Sequence, residues 1–508
     1  MKTYKHILSA VLATTLVTLT SCGLDYEPIS DPSEITEGAL TDTASLVLKD
    51  KDAATGQLNK LYKLMQSRQE HLYVDNRLIG DSHTDNAYGG TTGNEVTPIE
   101  SNTLDASYTI LQRDWSRYLE DIAQSNQLII GSEQLFKKGD ITEAEYHSFK
   151  AQGEVFRALM MFRMARLWGG FPMITTIAKT ITYENINEIY PLYYPARTPV
   201  EDCYKQIIKD LEDAEQYAPA ISNADRTVFS KTVAQALLAK VYAEKPIQNY
   251  DKVIEYAEKV RKTEGVALEP DYATLFGYDD AKRDCAKRNT TEGILEVQFL
   301  PGSGNWETWM YGKQLDNPEQ SWSWAKWITP SRDIIKDFEN EHDNIRMNQS
   351  IVYYATTGWS NYYPASHYPF MYKVRSGMSN EYVLRLADIM LLEAEAYAYK
   401  GELDKAADIV DIIRERVKLQ PLTADKKSSK DAMIDAVLHE RRLELAFEGE
   451  RWFDLCRNGK VEQYLNNLNS RDSGRLPLLR KYSQELYLMP IPQTAIDKNE
   501  NLKQNPGY

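Results

Sequence analysis

The chain has 508 residues, a formal net charge of −15 and 42% hydrophobic residues. That length admits about three domains or one large domain of interlocked helices, and the apolar fraction is enough for a substantial core. The negative charge and the lack of a basic tract argue against nucleic acid or an anionic membrane surface as the primary partner.

At the N-terminus, Lys2 and Lys5 flank the start of a short apolar run, Ile7 to Leu19, too short to span a bilayer. It ends in LTSC, Leu19 to Cys22, which resembles a bacterial lipobox. The expected organisation is a lipoprotein signal peptide over 1–21, a lipidated tether over 22–45 that begins at Cys22, and a folded body over 46–508. No later run is apolar for long enough to cross a membrane, so the body is expected to be anchored rather than spanning. Cys203, Cys285 and Cys456 are far apart and lack CxxC spacing, which argues against a metal site or a disulfide framework. They read as buried free thiols, and no cofactor or metal is expected.

Helical periodicity dominates from about Leu46. KDAATGQLNKLYKLMQSRQ and LQRDWSRYLEDIAQSNQLIIGSEQLF place apolar residues at threes and fours, and EVFRALMMFRMARLWGGFP does the same until Gly169, Gly170 and Pro172 stop it. Two later stretches look alike. In ALLAKVYAEKPIQNYDKVIEYAEKV and LLEAEAYAYKGELDKAADIVDIIRER, Ala239 and Ala394 each precede a tyrosine, Tyr242 and Tyr397, by three residues, and a second helix follows a turn. A small residue on one turn and a ring on the next suit closely packed helix pairs of the tetratricopeptide kind. The first copy departs from that spacing, with Pro246 in a longer turn. The predicted fold is mostly α, with tetratricopeptide-like α-solenoid helix pairs and one large irregular, loop-rich region over about 267–380. Within that region GILEVQFL alternates as a short strand would, and an irregular stretch this long is usually functional.

Several segments then carry a specific likeness. HERRLELAFEGERWFDLCRNGK from His439, LYLMPIPQTAIDKNENLKQNPGY from Leu486, NEYVLRLADIMLLEAEAYA, RALMMFRMARLWGGFPMI and ARTPVEDCYKQIIKDLEDAEQY resemble, in order, the signatures of the SusD/RagB family of surface glycan-binding lipoproteins of Bacteroidetes. The resemblance implies a single mostly helical domain tethered at the cell outer membrane, partnered by a SusC-like TonB-dependent β-barrel transporter on which it sits as a lid. Asp25 and Glu27, just behind Cys22, resemble the acidic signal that sends such lipoproteins to the cell surface, with a leucine and a tyrosine, Leu24 and Tyr26, among the acids here.

Those signatures mark the fold, not the ligand, so candidate site residues rest on chemistry. Sugar rings present C–H faces that stack on aromatic planes, and carboxylates and amides fix their hydroxyls. The segment WETWMYGKQLDNPEQSWSWAKW combines Trp306, Trp309, Tyr311, Trp322, Trp324 and Trp327 with Lys313, Asp316, Asn317 and Glu319. At least two of its five tryptophans are assigned to packing, and Trp322 and Trp324 are preferred as the platform because NPEQSWSW follows a turn signal. GDSHTDNAYGG, with Asp81, Asp85, Asn86 and Tyr88, is a second candidate, to be set against a solvated turn. GWSNYYPASHY, with Trp359, Tyr362 and Tyr363, is a third. Trp115, Trp168 and Trp452 are assigned to the core.

Catalytic motifs are not found. HERRL has Leu443 where a zinc protease needs its second histidine, PGSGN is not GxSxG, and YGGTTGN lacks the P-loop lysine. Glu440, Glu444 and Glu448, among Arg441, Arg442 and Arg451, read as ion pairs along one helix. The leading expectation is a non-catalytic oligosaccharide- or polysaccharide-binding lipoprotein. The alternatives are a peptide-binding member of the same family and a surface glycoside hydrolase, the latter needing two carboxylates at a set separation.

Overall fold

The computed structural model describes residues 47–90, 93–177, 183, 186–300, 304–311, 326–355 and 362–508. Helix Lys51–Ser67 starts where the Asp50 carboxylate accepts the Ala53 N–H at 2.8 Å. Helices Thr109–Lys138 and Glu143–Trp168 then form a long hairpin. Gly139, at φ 85°, ends the first in the left-handed region that favours glycine. Thr142 and Glu145 open the second with a reciprocal capping box.

Every residue of the second helix from Ala151 to Trp168 is buried except Arg166, so this helix is enclosed on all sides at the centre of the fold. It ends where the sequence predicts, at the Gly169–Gly170 pair. A Cβ on Gly170 would lie 2.2 Å from the Thr198 carbonyl oxygen, so that chain crossing requires glycine. Helix Val200–Tyr217 packs alongside, joined by a two-pronged bond from Arg157 Nε and Nη2 to the Asp210 carboxylate, each 2.8 Å.

The two look-alike stretches are helix pairs. Lys231–Ala243 is followed by Tyr250–Arg261, and Leu386–Lys400 by Leu403–Arg416. The second helix of the first pair lies against the first helix of the second pair, the order of a stacked solenoid. Tyr250 stacks on Tyr399 at 4.6 Å, Arg261 pairs with Glu393 at 3.1 Å, and Ala239 and Ala394 are fully buried where the backbones come close.

Within 267–380 the described residues hold more regular structure than the composition suggests. They contain the helix Arg332–Glu341, and they contribute to four two-stranded antiparallel sheets. The predicted strand exists as Gly293–Val297, paired with Glu381–Arg385, but all five of its residues are buried. Alternation predicted one wet face. The structure covers both, and the helix Lys231–Ala243 is one of the elements packed against the strand.

Contrary to what the spacing predicts, the charged residues of HERRLELAFEGERW named above do not pair with one another along their own helix. Glu440 meets Arg346 at 2.6 Å and Arg414 at 3.0 Å, Glu444 meets Arg385 and Arg416, and Glu448 meets Arg385 and Lys373. Arg441 binds Asp388 and Asp454, while Arg442 and Arg451 reach Asp85. The C-terminal end of the helix Lys430–Glu444, from Glu440 on, is buried, so its charges are compensated by partners brought from distant sequence. Cys203, Cys285 and Cys456 are free thiols, the first buried and the others half-buried. Burial pushes the first up to about 11 and the second to about 12. Among the described residues no helix is long and apolar enough to cross a membrane.

Candidate functional site

The described part of the tryptophan segment is built on a buried polar frame. Asn305 is held by its backbone N–H on the Gly377 carbonyl at 2.7 Å and by its side-chain amide on Glu381 Oε1 at 2.9 Å. Its side-chain oxygen accepts the Glu307 N–H at 3.0 Å. The Glu307 carboxylate points inward to Arg77, whose guanidinium also binds Glu381 and donates from Nε to the Phe447 carbonyl at 3.1 Å. Gln69 clasps the same segment from below, donating to the Gly304 carbonyl at 3.2 Å and accepting the Trp306 N–H at 3.0 Å.

A helical turn, Thr308–Tyr311, then projects from this frame. Because Glu307 and Met310 face inward, the residue between them on the other side of the turn must face out. That residue is Trp309, whose side chain is 56% exposed. Trp306 is half-buried and packs against the core, and Tyr311 closes the turn. Trp327 returns under the turn, with its N–H on the Met310 carbonyl at 2.8 Å, and is a core residue. The segment thus separates a surface ring, an edge ring and a packing ring.

The frame is electrostatically constrained. Burial drives the Glu307 carboxyl well above the usual carboxylate range, against the pull of Arg77 and with the help of Glu381. Both carboxylates are buried on one guanidinium, so they position the ring-bearing turn and are not presented at the surface. Arg77, Gln69 and Glu381 were not among the predicted site residues. Arg77 and Gln69 meet partners 230 or more positions away and Glu381 meets Asn305 76 positions away, and no local pattern signals such contacts.

GDSHTDNAYGG does not form a surface loop, either as a ligand site or as a solvated turn. Asp81, Asp85, Asn86 and Tyr88 are all buried and their polar atoms are bonded within the protein. Asp81 accepts the Gly449 N–H at 2.8 Å and the Asn86 amide at 2.8 Å. Asp85 receives Arg451, Asn86 receives Arg442 Nε at 2.9 Å, and the Tyr88 hydroxyl bonds Asp472 and the Arg332 N–H. With those groups engaged, the segment is a buried hub. In the third candidate Tyr362 is buried, stacked on Tyr88 at 4.5 Å and bonded to Glu100 at 2.6 Å, and Tyr363 is half-buried on the Pro330 carbonyl. Both are packing residues. Trp322, Trp324 and Trp359, the polar residues Lys313, Asp316, Asn317 and Glu319, and the lipidation candidate Cys22 lie outside the described residues.

A family model described as "SusD family" matches residues 339–508, and one described as "Starch-binding associating with outer membrane" matches residues 45–243. The chain belongs to the SusD/RagB-like family. "SusD-like protein P2" of Formosa agariphila is 25% identical over 456 residues, which cover 82% of this chain and 85% of that one. A SusD superfamily protein from Bacteroides vulgatus superposes with a TM-score of 0.72 at 19% identity, over 91% of this chain and 99% of the other. A structure described as "Laminarin binding SusD-like protein" superposes with a TM-score of 0.70 at 21% identity, over 91% and 100%.

The two family matches meet in space at the buried hub. Asp85 lies in the N-terminal match, and Arg442 and Arg451 lie in the C-terminal one. In a SusD-like chain this joins the opening helices to the closing signature. Residues 244–338, between the two matches, carry the Trp306–Tyr311 turn. The fold-bearing parts are shared with relatives, and the ring-bearing turn sits in the stretch that neither match spans.

Proposed function

We propose that this SusD/RagB-like protein is a non-catalytic glycan-binding lipoprotein, anchored through Cys22 at the outer face of the outer membrane, which passes oligosaccharides to a SusC-like TonB-dependent transporter. The observation that carries the binding role is Trp309. An indole 56% exposed on a turn held by a buried Arg77–Glu307–Glu381 frame is a preformed stacking surface for a sugar ring. Family membership supports the same reading, as does the similarity to a protein described as binding laminarin. The non-catalytic role draws support from the two carboxylates of the frame under the turn, Glu307 and Glu381, which are buried against Arg77 where neither reaches a ligand. The lipid anchor rests on the LTSC sequence, and the transporter partnership on membership in the family.

The test is to titrate the purified protein with a panel of glucan, xylan, mannan and pectic oligosaccharides while following products by chromatography. Saturable binding with intact ligand is the expected result. Release of shortened products would overturn the non-catalytic reading, and failure to bind any glycan would overturn the reading as a whole. Co-purification of a large β-barrel protein from gently solubilised outer membranes tests the transporter partnership.

A further inference from the structure

A cleft of about 300 Å³ lies between the Lys51–Ser67 helix and the chain leaving the Gly293–Val297 strand. Its floor is apolar: Met65, Leu295 and Val297 are buried there. One wall is a single helix stripe, because Asn59, Tyr62, Lys63 and Gln66 are spaced by threes and fours. Gln298 and Thr227 face it. Tyr62 is fixed by stacking on Phe229 at 4.5 Å and by donating its hydroxyl to Gln152 at 2.6 Å.

The polar atoms of this cleft divide into two sets. Glu296 is saturated, accepting from the Asn289 and Thr290 N–H groups, the Thr290 hydroxyl and the amides of Gln298 and Asn380. It presents no open carboxylate to a ligand. In contrast, among the described residues the Asn59 amide, the Lys63 ammonium and the side-chain oxygens of Gln66 and Gln298 have no hydrogen-bond partner. An apolar floor rimmed by amide and ammonium groups, at the lower end of small-molecule pocket size, suits the C–H face and hydroxyls of about one pyranose ring. Lys63 is the cation among its described lining residues, so it offers no cluster of cations for a phosphate.

The cleft is also tied to the ring-bearing turn. Gln66 donates to the Gln298 carbonyl at 2.8 Å, and Gln69, three residues on, holds Gly304 and Trp306. Gln66 and Gln69 flank the end of that helix at Ser67, and the exposed Leu300 lies between Gln298 and Gly304 in the chain.

We infer that this cleft is a second sugar subsite, which binds a ring of the same oligosaccharide beyond the one stacked on Trp309. The inference rests on the proposed glycan-binding role and adds to it a footprint longer than one aromatic contact. The preferred ligand is a neutral chain of several rings, and affinity rises with its length until both places are filled.

The test measures binding of laminari-, malto-, xylo- and manno-oligosaccharides, as disaccharides and hexasaccharides, to the full chain and to two variants by calorimetry. Asn59 and Lys63 are exposed and at helical positions that tolerate alanine, so Asn59→Ala/Lys63→Ala folds with an unchanged melting temperature. For the glycan that binds, this double variant weakens the hexasaccharide by roughly tenfold, the effect of losing about one charge-assisted hydrogen bond. It leaves the disaccharide unchanged, whereas Trp309→Ala weakens both. Unaltered hexasaccharide binding by the double variant would overturn the subsite and leave the glycan role standing. Equal losses for both lengths would also overturn it, since the cleft would then be the primary site. If the unmodified protein bound none of the probes, the glycan role would fall and the subsite with it.

Discussion

Asp85 and Arg451 meet side by side across 366 positions of sequence, with Oδ1–Nε and Oδ2–Nη2 both at 2.9 Å and neither group open to solvent. Arg442 and Arg471 approach the same carboxylate at 3.6 and 3.5 Å. Burial alone would raise the Asp85 pKa, but Arg442 and Arg451 outweigh it and hold the carboxyl far below the usual range.

Removing that carboxylate strands buried guanidinium groups. Asp85→Ala is expected to lower stability by about 3–5 kcal/mol, read as a shift in the urea midpoint. Asp85→Asn keeps the shape and one acceptor, and loses less. The sign of the pH effect follows from the depressed folded-state value. The stabilisation is full above about pH 4, near the unfolded aspartate value, and is lost as pH falls toward the folded-state value. Asp85→Asn should therefore flatten the acid limb of the stability curve.

The three described tryptophans of the ring-bearing segment should separate by assay. Trp327 is a core residue, and Trp327→Ala is expected to lose about 3–5 kcal/mol of stability. Trp309→Ala should leave the melting temperature nearly unchanged and weaken glycan binding by about 1–3 kcal/mol, taking base–aromatic stacking as the scale. Trp306, half-buried, should show part of each effect. Calorimetric titration beside thermal melts reads both, and a Trp309→Ala protein with undiminished affinity would place the stacking surface elsewhere.

Glu154 titrates in the opposite sense from Asp85. Burial, then its hydrogen bond with Asp213 and the charge of Asp210, push it up to about 9, although Lys150 lies 3.0 Å away. A carboxyl raised in the folded state contributes most below its unfolded value, about 4.3, and that contribution declines as pH rises toward 9. Glu154→Gln removes the titration. The variant should gain on the parent by at least about 1 kcal/mol between pH 5 and pH 8, since one pKa unit corresponds to about 1.4 kcal/mol. Urea midpoints across that range would show it, and parallel curves would contradict the assignment.

The proposed anchor is tested separately from the fold. Cys22→Ala should abolish incorporation of a fatty-acid probe and leave an unprocessed or mislocalised protein, because the remaining cysteines, Cys203, Cys285 and Cys456, lie far along the chain in the folded body. Incorporation that persists in the variant would refute lipidation at Cys22.

What the sequence by itself determined is local. The stop at Gly169, the paired helices that carry Ala239 and Ala394, and the core roles of Trp115, Trp168 and Trp452 all follow from periodicity, capping and propensity, which act over a few residues. Only the tertiary structure decided burial where composition is ambiguous. GDSHTDNAYGG has the glycine, aspartate and asparagine content of a wet turn, and it is interior because Arg442 and Arg451 close over it from the far end of the chain. Trp309 and Trp327 share a segment and a side chain, yet one faces solvent and the other the core. The difference lies in Arg77, Glu381 and Gln69, which fix the turn's orientation through contacts that no local pattern encodes, since a side chain's exposure is set by what the rest of the chain places over it.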